Sequence, residues 1–328
     1  MLEAHAEPLL GGTAGERWDI IFSNIPAKAG SSVLEDYIRR CTGLLNPGGR
    51  VILVVVHTLT DFFREQSSAA GIEPLEIQGG SHSVFVFGPV VQGAAGQSEA
   101  AVPVNCGPGF FLRYPFYKRT VSDCSIEKTS IRIESIHGAS GYDAPGGAVL
   151  AAAKLARRIG LEKITANSAP WLIHEGGQGF FLLWLLKNFG SDTARTMVIS
   201  GRNILALESS RHNAELSAAQ VSVVPVVDLQ LGQTALLEAA GGGQFSFIAA
   251  FPELLPQSAL AKGTDQLVSL WESLPPLLAD GGIFLAACSS SEAERFDRKK
   301  PTGVGFTRLG SLKKNSFCAT AYQLSITN

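Results

Sequence analysis

Apolar positions along this chain alternate between two periods. Trp18–Ser23 (WDIIFS) reads as a strand. Val33, Leu34, Tyr37 and Ile38, with Leu44 or Leu45, then recur at helical spacing until NPGG at 46–49 stops them. Arg50–His57 (RVILVVVH) is a continuous apolar run, the kind buried on both faces of a parallel sheet. Leu59–Ala70 predicts another helix. GIEPLEIQ and SHSVFVFGP predict two closing strands about the Gly79-Gly80 turn.

After residue 108 the alternation is longer. It predicts a helix at about 146–158, a strand near 169–174 and a glycine cluster at 176–179 (GGQG) opening the helix FFLLWLLKNF. Strands TMVIS, VSVVPVV, FSFIAAF (245–251) and IFLAAC (283–288) follow, with helices NILALESSRHNAEL and a leucine-rich stretch between them. Strand–helix alternation of this kind predicts an α/β fold with mostly parallel, doubly wound sheets. Residues 89–108 are rich in Gly, Ala, Val and Pro and poor in charge, so they read as a loop or linker. The expected division is a first domain over 1–90, a linker over 91–108 and a second domain over 109–328.

The two parts also repeat each other. WDIIFSNIP matches FSFIAAFPE. LEDYIRRCTGLLNPGGRVILVVV matches LVSLWESLPPLLADGGIFLAAC. GIEPLEIQGGSHSVFVFGP matches GFTRLGSLKKNSFCATAYQLS. Two Rossmann-like domains in tandem are expected, each closing on an antiparallel strand pair. The first is expected to be incomplete, beginning at its fourth strand.

A chain of 328 residues exceeds what one core usually holds, which agrees with two domains. With 17% charged residues and a formal net charge of −2, nothing global advertises a polyanion partner. Local candidates are RYPFYKRT (113–120), a base-stacking and phosphate-contacting mix or an amphipathic strand, and RFDRKK (295–300), read as a basic surface loop. Five cysteines without a CxxC pair argue against a disulfide framework or zinc cluster and for a reducing cytoplasm. No metal site is expected, and His137 and His174 show no evident partners. The longest apolar run, FFLLWLL, is too short to span a membrane, and the N-terminus lacks signal-peptide features.

The corner SNIPAKAG after the first strand, the repeated order of elements and the segment HGASGYDAPGGAVLAAAKL (137–155) together resemble class I S-adenosylmethionine-dependent methyltransferases. More narrowly, they resemble the tandem ribosomal RNA guanine-N2 methyltransferases of the "methyltransferase small domain" type. The resemblance covers about residues 18–88 and 135–325. It implies that the Asn24 side chain and the Ile25 carbonyl accept hydrogen bonds from an exocyclic amine, with Pro26 fixing the backbone. Ala27 departs from the family's aromatic residue, which stacks on a flipped-out base. The reading without the family is a turn capped by Asn and stopped by Pro.

The resemblance also implies a donor loop at WLIHEGGQGFF, with Gly177 and Gly179 as two of its glycines. Ile173 stands where the family has Asp, and Glu175 where it has the first Gly. Glu175 would supply a carboxylate from a shifted position, Ser200 would stand in for the acid ending the second strand, and Asp143 would border the pocket. Phe251-Pro252-Glu253-Leu254 replaces the acceptor corner of this half, which therefore reads as a degenerate copy. The implied cofactor is S-adenosylmethionine and the implied partner ribosomal RNA, with a partner chain or second copy completing the first domain. The alternative is a non-catalytic RNA- or protein-binding scaffold.

Overall fold

The computed structural model describes residues 10, 16–26, 28–89, 109–141, 143–161, 169–189, 195–217, 221–228, 231–254, 265–303 and 305–325. Ala27 and the stretch read as a linker, 91–108, lie outside them. The chain forms two compact units, Met1–Arg119 and Thr120–Asn328.

In the first unit the elements are β1 (Trp18–Asn24), α1 (Ser31–Gly43), β2 (Leu45–Val56), α2 (Thr60–Ala69), β3 (Leu75–Gln78) and β4 (His82–Phe87). The sheet order is β1-β2-β4-β3. β1 and β2 are parallel, and both pairings of β4 are antiparallel. The helical stripe Val33, Leu34, Tyr37, Ile38 and Cys41 buries against alternate strand residues Ile21, Val51, Leu53 and Val55, while Phe63 of α2 meets Phe85. Both helices therefore serve one sheet face. Fully burying a phenylalanine stabilises by about 1.5–3 kcal/mol, so Phe63 and Phe85 anchor this small core. The opposite row is also apolar but open: Ile20 is 64% exposed, Phe22 67% and Leu75 63%.

A short helix, α3 (Phe110–Arg113), and a 3-10 turn over Pro115–Tyr117 end this unit. The strand reading of RYPFYKRT is thus corrected: only Lys118 onward is extended. Its proline starts a turn, and Tyr114 and Tyr117 are buried with Phe110, out of reach of a base.

The second unit runs β5 (Lys118–Ile126), β6 (Thr129–Ile136), α4 (Gly147–Arg158), β7 (Trp171–His174), α5 (Phe180–Phe189), β8 (Thr196–Gly201), α6 (Ile204–Leu216) and β9 (Ser222–Val227). It continues with α7 (Gln233–Ala239), β10 (Phe245–Ala250), α8 (Gln266–Leu277), β11 (Leu278–Ser289), α9 (Ser290–Arg298), β12 (Phe306–Lys314) and β13 (Phe317–Leu324). Its seven-stranded sheet has the order β12-β13-β11-β10-β7-β8-β9, parallel from β11 to β9. β5 and β6 form a separate ribbon. One face packs Trp171, Ile199, Phe247 and Leu285 against α4 and α5. The other packs Leu172, Ile248 and Phe284 against α7, α8 and α9, with Trp271 stacked on Phe296 at 4.4 Å. This is the doubly wound sheet that the alternation predicts. The β5–β6 ribbon and α7 were not expected, and RFDRKK is helical through Arg298 rather than a loop, because Ser289 and Glu292 form a capping box.

The repeat is visible in the strand register. Between Trp18 and Ile20, β2 advances from Leu45 to Arg50; between Phe245 and Phe247, β11 advances from Leu278 to Ile283. Two steps on one strand oppose five on the other in both units. The bulge is built by Gly48-Gly49 and Gly281-Gly282. Gly48 and Gly281 have φ of +82° and +72°, while a Cβ on Gly282 would lie 2.7 Å from the Ala279 carbonyl oxygen. Among the described residues, no helix is long and apolar enough to cross a membrane.

Candidate functional site

In the second unit the sheet grows in opposite directions from β7, toward β8 and β9 on one side and β10 and β11 on the other. Ligands of such sheets bind where the order reverses, beyond the carboxyl ends of the strands. A cleft of about 310 Å3, counting the part open to solvent, lies there. Ile173, Glu175, Gly177, Gly179, Ser200 and Asn203 are among its lining residues.

The loop after β7 is a tight left-handed turn: Glu175, Gly177 and Gly179 have φ of +54°, +65° and +102°. Glu175 thus holds a backbone conformation that glycine adopts more readily than other residues. Its N–H donates to the Ser200 carbonyl at 2.7 Å. Ser210 Oγ donates to the Gly177 carbonyl at 2.8 Å, tying the turn to α6. Gly179 is also required by packing, since a Cβ there would lie 3.0 Å from Ser210 Cα.

His174 and Ser200 end their strands side by side and are buried, with Nδ1 and Oγ 2.9 Å apart. The expectation that His174 lacks a partner is corrected. Burial moves its pKa down from 6.5 to about 4; Asp228 opposes the shift and Arg202 adds to it. The ring is therefore neutral at pH 7, and the Ser200 hydroxyl has an internal partner.

Glu175 is 16% exposed. Its Oε1 accepts from the Arg202 N–H at 3.2 Å and lies 3.3 Å from Arg202 Nε. Burial pushes the carboxyl pKa up, and Arg202 opposes this. Arg202 reaches on to Glu253, whose carbonyl and carboxylate both accept at 3.1 Å. Sequence reasoning missed Arg202 and Glu253; the available signal was a cation just past one strand end, facing an extra acid at another. Asp143 accepts from Ser135 Oγ at 2.5 Å and is not among the residues lining the cleft.

The corners after β1 and β10 differ. Phe251 turns into the core and meets the Phe181 ring at 5.2 Å, so the second unit presents no amide there. Register equivalence puts Asn24 in that place in the first unit. Asn24 is exposed, continuing the open row of Ile20 and Phe22. Ile25 is buried, its N–H bonded to the Val54 carbonyl at 2.9 Å, and a turn from Pro26 to Ala29 closes behind it. Asn24, Ile25 and Pro26 therefore stand together on the first unit, and the glycine turn stands on the second.

No protein-family model and no curated protein sequence matches the chain. Among solved structures, T. thermophilus 16S rRNA N2 G1207 methyltransferase (RsmC), in complex with AdoMet and guanosine, superposes with a TM-score of 0.64 at 16% identity. The match covers 95% of this chain and 74% of that one. TrmN from Thermus thermophilus aligns with 52% of this chain and 48% of its own, at 14% identity and a TM-score of 0.41. A putative rRNA methylase from Clostridium thermocellum aligns with 52% of this chain and 96% of its own, at 10% identity and a TM-score of 0.40. The first likeness shows that this chain has the fold of that methyltransferase.

Proposed function

We propose that the chain is an S-adenosylmethionine-dependent methyltransferase-like protein, derived from ribosomal RNA guanine-N2 methyltransferases, whose second unit holds the donor. The observation that carries this reading is the left-handed turn Glu175–Gly179, whose partly buried Glu175 carboxylate lies against Gly201 and Arg202 at the end of β8, at the reversal point of the sheet. The structural neighbour bound to AdoMet and guanosine supports the choice of ligand.

The residues fit the nucleoside part of that ligand. Gly177 and Gly179 allow close backbone approach, Glu175 offers a carboxylate, and the backbone about Ser200 forms the wall. Ile173 offers no carboxylate to an ammonium group, so we expect modest affinity, a dissociation constant of about 10–100 µM or roughly −6 kcal/mol. When bound, S-adenosylmethionine supplies an electrophilic methyl group. The first unit's own corner would act only on a donor held at that unit's sheet edge, where the Asn24 amide oxygen and the Ile25 carbonyl would orient an exocyclic amine and stabilise positive charge developing on its nitrogen. RNA, a cytoplasmic setting, an inter-domain linker over 91–108 and a partner chain or second copy belong to the same proposal.

A second reading is a binding protein that performs no transfer. It is favoured by the second unit's own corner, where Phe251 faces the core and Glu253 is engaged by Arg202. Calorimetric titration of the full chain with S-adenosylmethionine, alongside methyl incorporation into unmodified ribosomal RNA, separates the two. Binding with incorporation supports the enzyme, and binding without it supports the scaffold. Absence of heat at 1 mM ligand refutes the donor site.

A further inference from the structure

The end of β8 carries no acid. Ser200 is bonded to His174, and the next residue is Gly201. A nucleoside ribose presents two vicinal hydroxyls, and the natural acceptor for both is a carboxylate, which has two oxygens and no proton to give. In doubly wound sheets that carboxylate normally comes from the end of the second strand.

Gly201 marks where such a side chain would start. A Cβ built there would lie 3.2 Å from Glu175 Oε2 and 3.3 Å from Glu175 Cδ. The Glu175 carboxyl therefore stands in the space that a side chain at 201 would enter. A residue larger than glycine at 201 would force that carboxyl to move. The two oxygens of Glu175 also differ in their partners. Oε1 carries both contacts to Arg202, whereas Oε2 accepts no hydrogen bond from any described residue, and Glu175 lines the cleft. Arg202 is held from its far side by Glu253, so the carboxylate is fixed in direction rather than swinging in solvent. Glu175 holds a left-handed backbone, φ +54°, which glycine adopts freely and glutamate rarely does, and its carboxyl reaches this spot.

We propose that Glu175 is the ribose-binding carboxylate of this cleft, delivered from the loop after β7 to the end of β8, and that Gly201 is its complement. The proposal rests on the nucleoside-cleft reading above and adds a positioning residue, Arg202, and a specificity for the ribose diol. It follows that the carboxylate can be returned to β8 by exchanging the two side chains, because Gly201 does not adopt a positive φ and the exchange removes the Glu175 carboxyl that a side chain at 201 would meet.

The test uses the full chain and two probes, S-adenosylhomocysteine and its 2′-deoxy form, with dissociation constants from calorimetry. Wild type should bind the ribose form about tenfold or more tightly than the 2′-deoxy form, the usual scale for losing a hydrogen bond to a charged group. Glu175→Gln, which keeps size and shape, should weaken the ribose form about 10- to 100-fold and abolish the discrimination. The double variant Glu175→Gly with Gly201→Glu should regain both affinity and discrimination to within about threefold, while Glu175→Gly alone should not. Thermal midpoints recorded on each protein separate lost binding from lost folding. Equal binding of the two probes by wild type overturns the proposal even if every variant fails to fold. Unchanged affinity and discrimination in Glu175→Gln overturns it too, and leaves the donor reading standing. No binding of either probe to wild type at 1 mM overturns the donor reading and this inference with it.

Discussion

Lowering the pH should destabilise the second unit through a histidine whose burial disfavours the charged ring. His174 is 5% exposed at the end of β7, with Ser200 Oγ beside its Nδ1. Burial moves its pKa from 6.5 to about 4. Above pH 6.5 the ring is neutral in the folded and unfolded chains, and the full stability is present. Between pH 6.5 and about 4 the unfolded chain binds a proton that the folded chain refuses, so stability falls as pH falls, by about 1.4 kcal/mol per unit. At pH 4.5 the accumulated loss is about 2.5 kcal/mol, a large share of a typical domain's stability. His174→Gln removes the titration but keeps a polar side chain near Ser200. Urea unfolding at pH 7.5, 6, 5 and 4.5 can be followed by the fluorescence of Trp171, Trp184 and Trp271, all buried in this unit. Carboxylates titrate equally in both proteins and cancel in the difference. Wild type should lose about 2.5 kcal/mol more than the variant between pH 7.5 and 4.5. Parallel pH profiles would refute the argument, showing that folded His174 takes up its proton freely.

Trp271→Ala should cost about 3–5 kcal/mol in urea unfolding, since the ring stacks on Phe296, touches Phe284, Phe306 and Tyr322, and donates to the Phe296 carbonyl at 2.9 Å. A loss below 1 kcal/mol would mean that this core is loosely packed. Gly281→Ala should cost about 1 kcal/mol through its positive φ alone, because nothing lies within 4 Å of its Cβ. Gly282→Ala should cost more, about 1–3 kcal/mol, because its Cβ would meet the Ala279 carbonyl at 2.7 Å; thermal midpoints read the order. Asn24→Ala should leave the midpoint nearly unchanged, since the side chain is exposed. If Asn24 orients the amine, the same change should reduce methyl incorporation into ribosomal RNA about a hundredfold; full retention of incorporation would assign it to the turn alone.

The strands and helices with strong apolar periodicity were legible because one face of each had to be buried. β1, α1, β10 and α5 fall where their patterns place them. β2 begins earlier than expected, at Leu45 rather than Arg50, because the NPGG stop signal is a bulge inside the strand. In the β5–β6 ribbon, β5 was invisible for a different reason: it is mostly exposed, so its sequence carries little burial signal, whereas β6 does alternate, burying Ile131 and Ile133, and was passed over. At the candidate site, the glycines of the loop after β7 were readable and their partners were not. His174 and Ser200 lie 26 positions apart, and Glu253 lies 51 positions from Arg202. Only the adjacency of strand ends joins them, and that adjacency is fixed by the sheet order rather than by local pattern.

The shared bulge has a bearing on how this chain reaches its native state. Residues 18–87 show that strand, helix, bulged strand, helix and two closing strands collapse around a core of their own. The matching stretch 245–324 should then behave as a cooperative folding block inside the second unit, opening and closing together in hydrogen exchange and apart from β8 and β9. A polypeptide that encodes the same pairing register twice also carries a kinetic hazard. During refolding, β11 can offer β1 the five-against-two offset that it offers β10, and repeat proteins are prone to such cross-pairing. Beside the bulge the two copies differ, with arginine at 50 in one and isoleucine at 283 in the other.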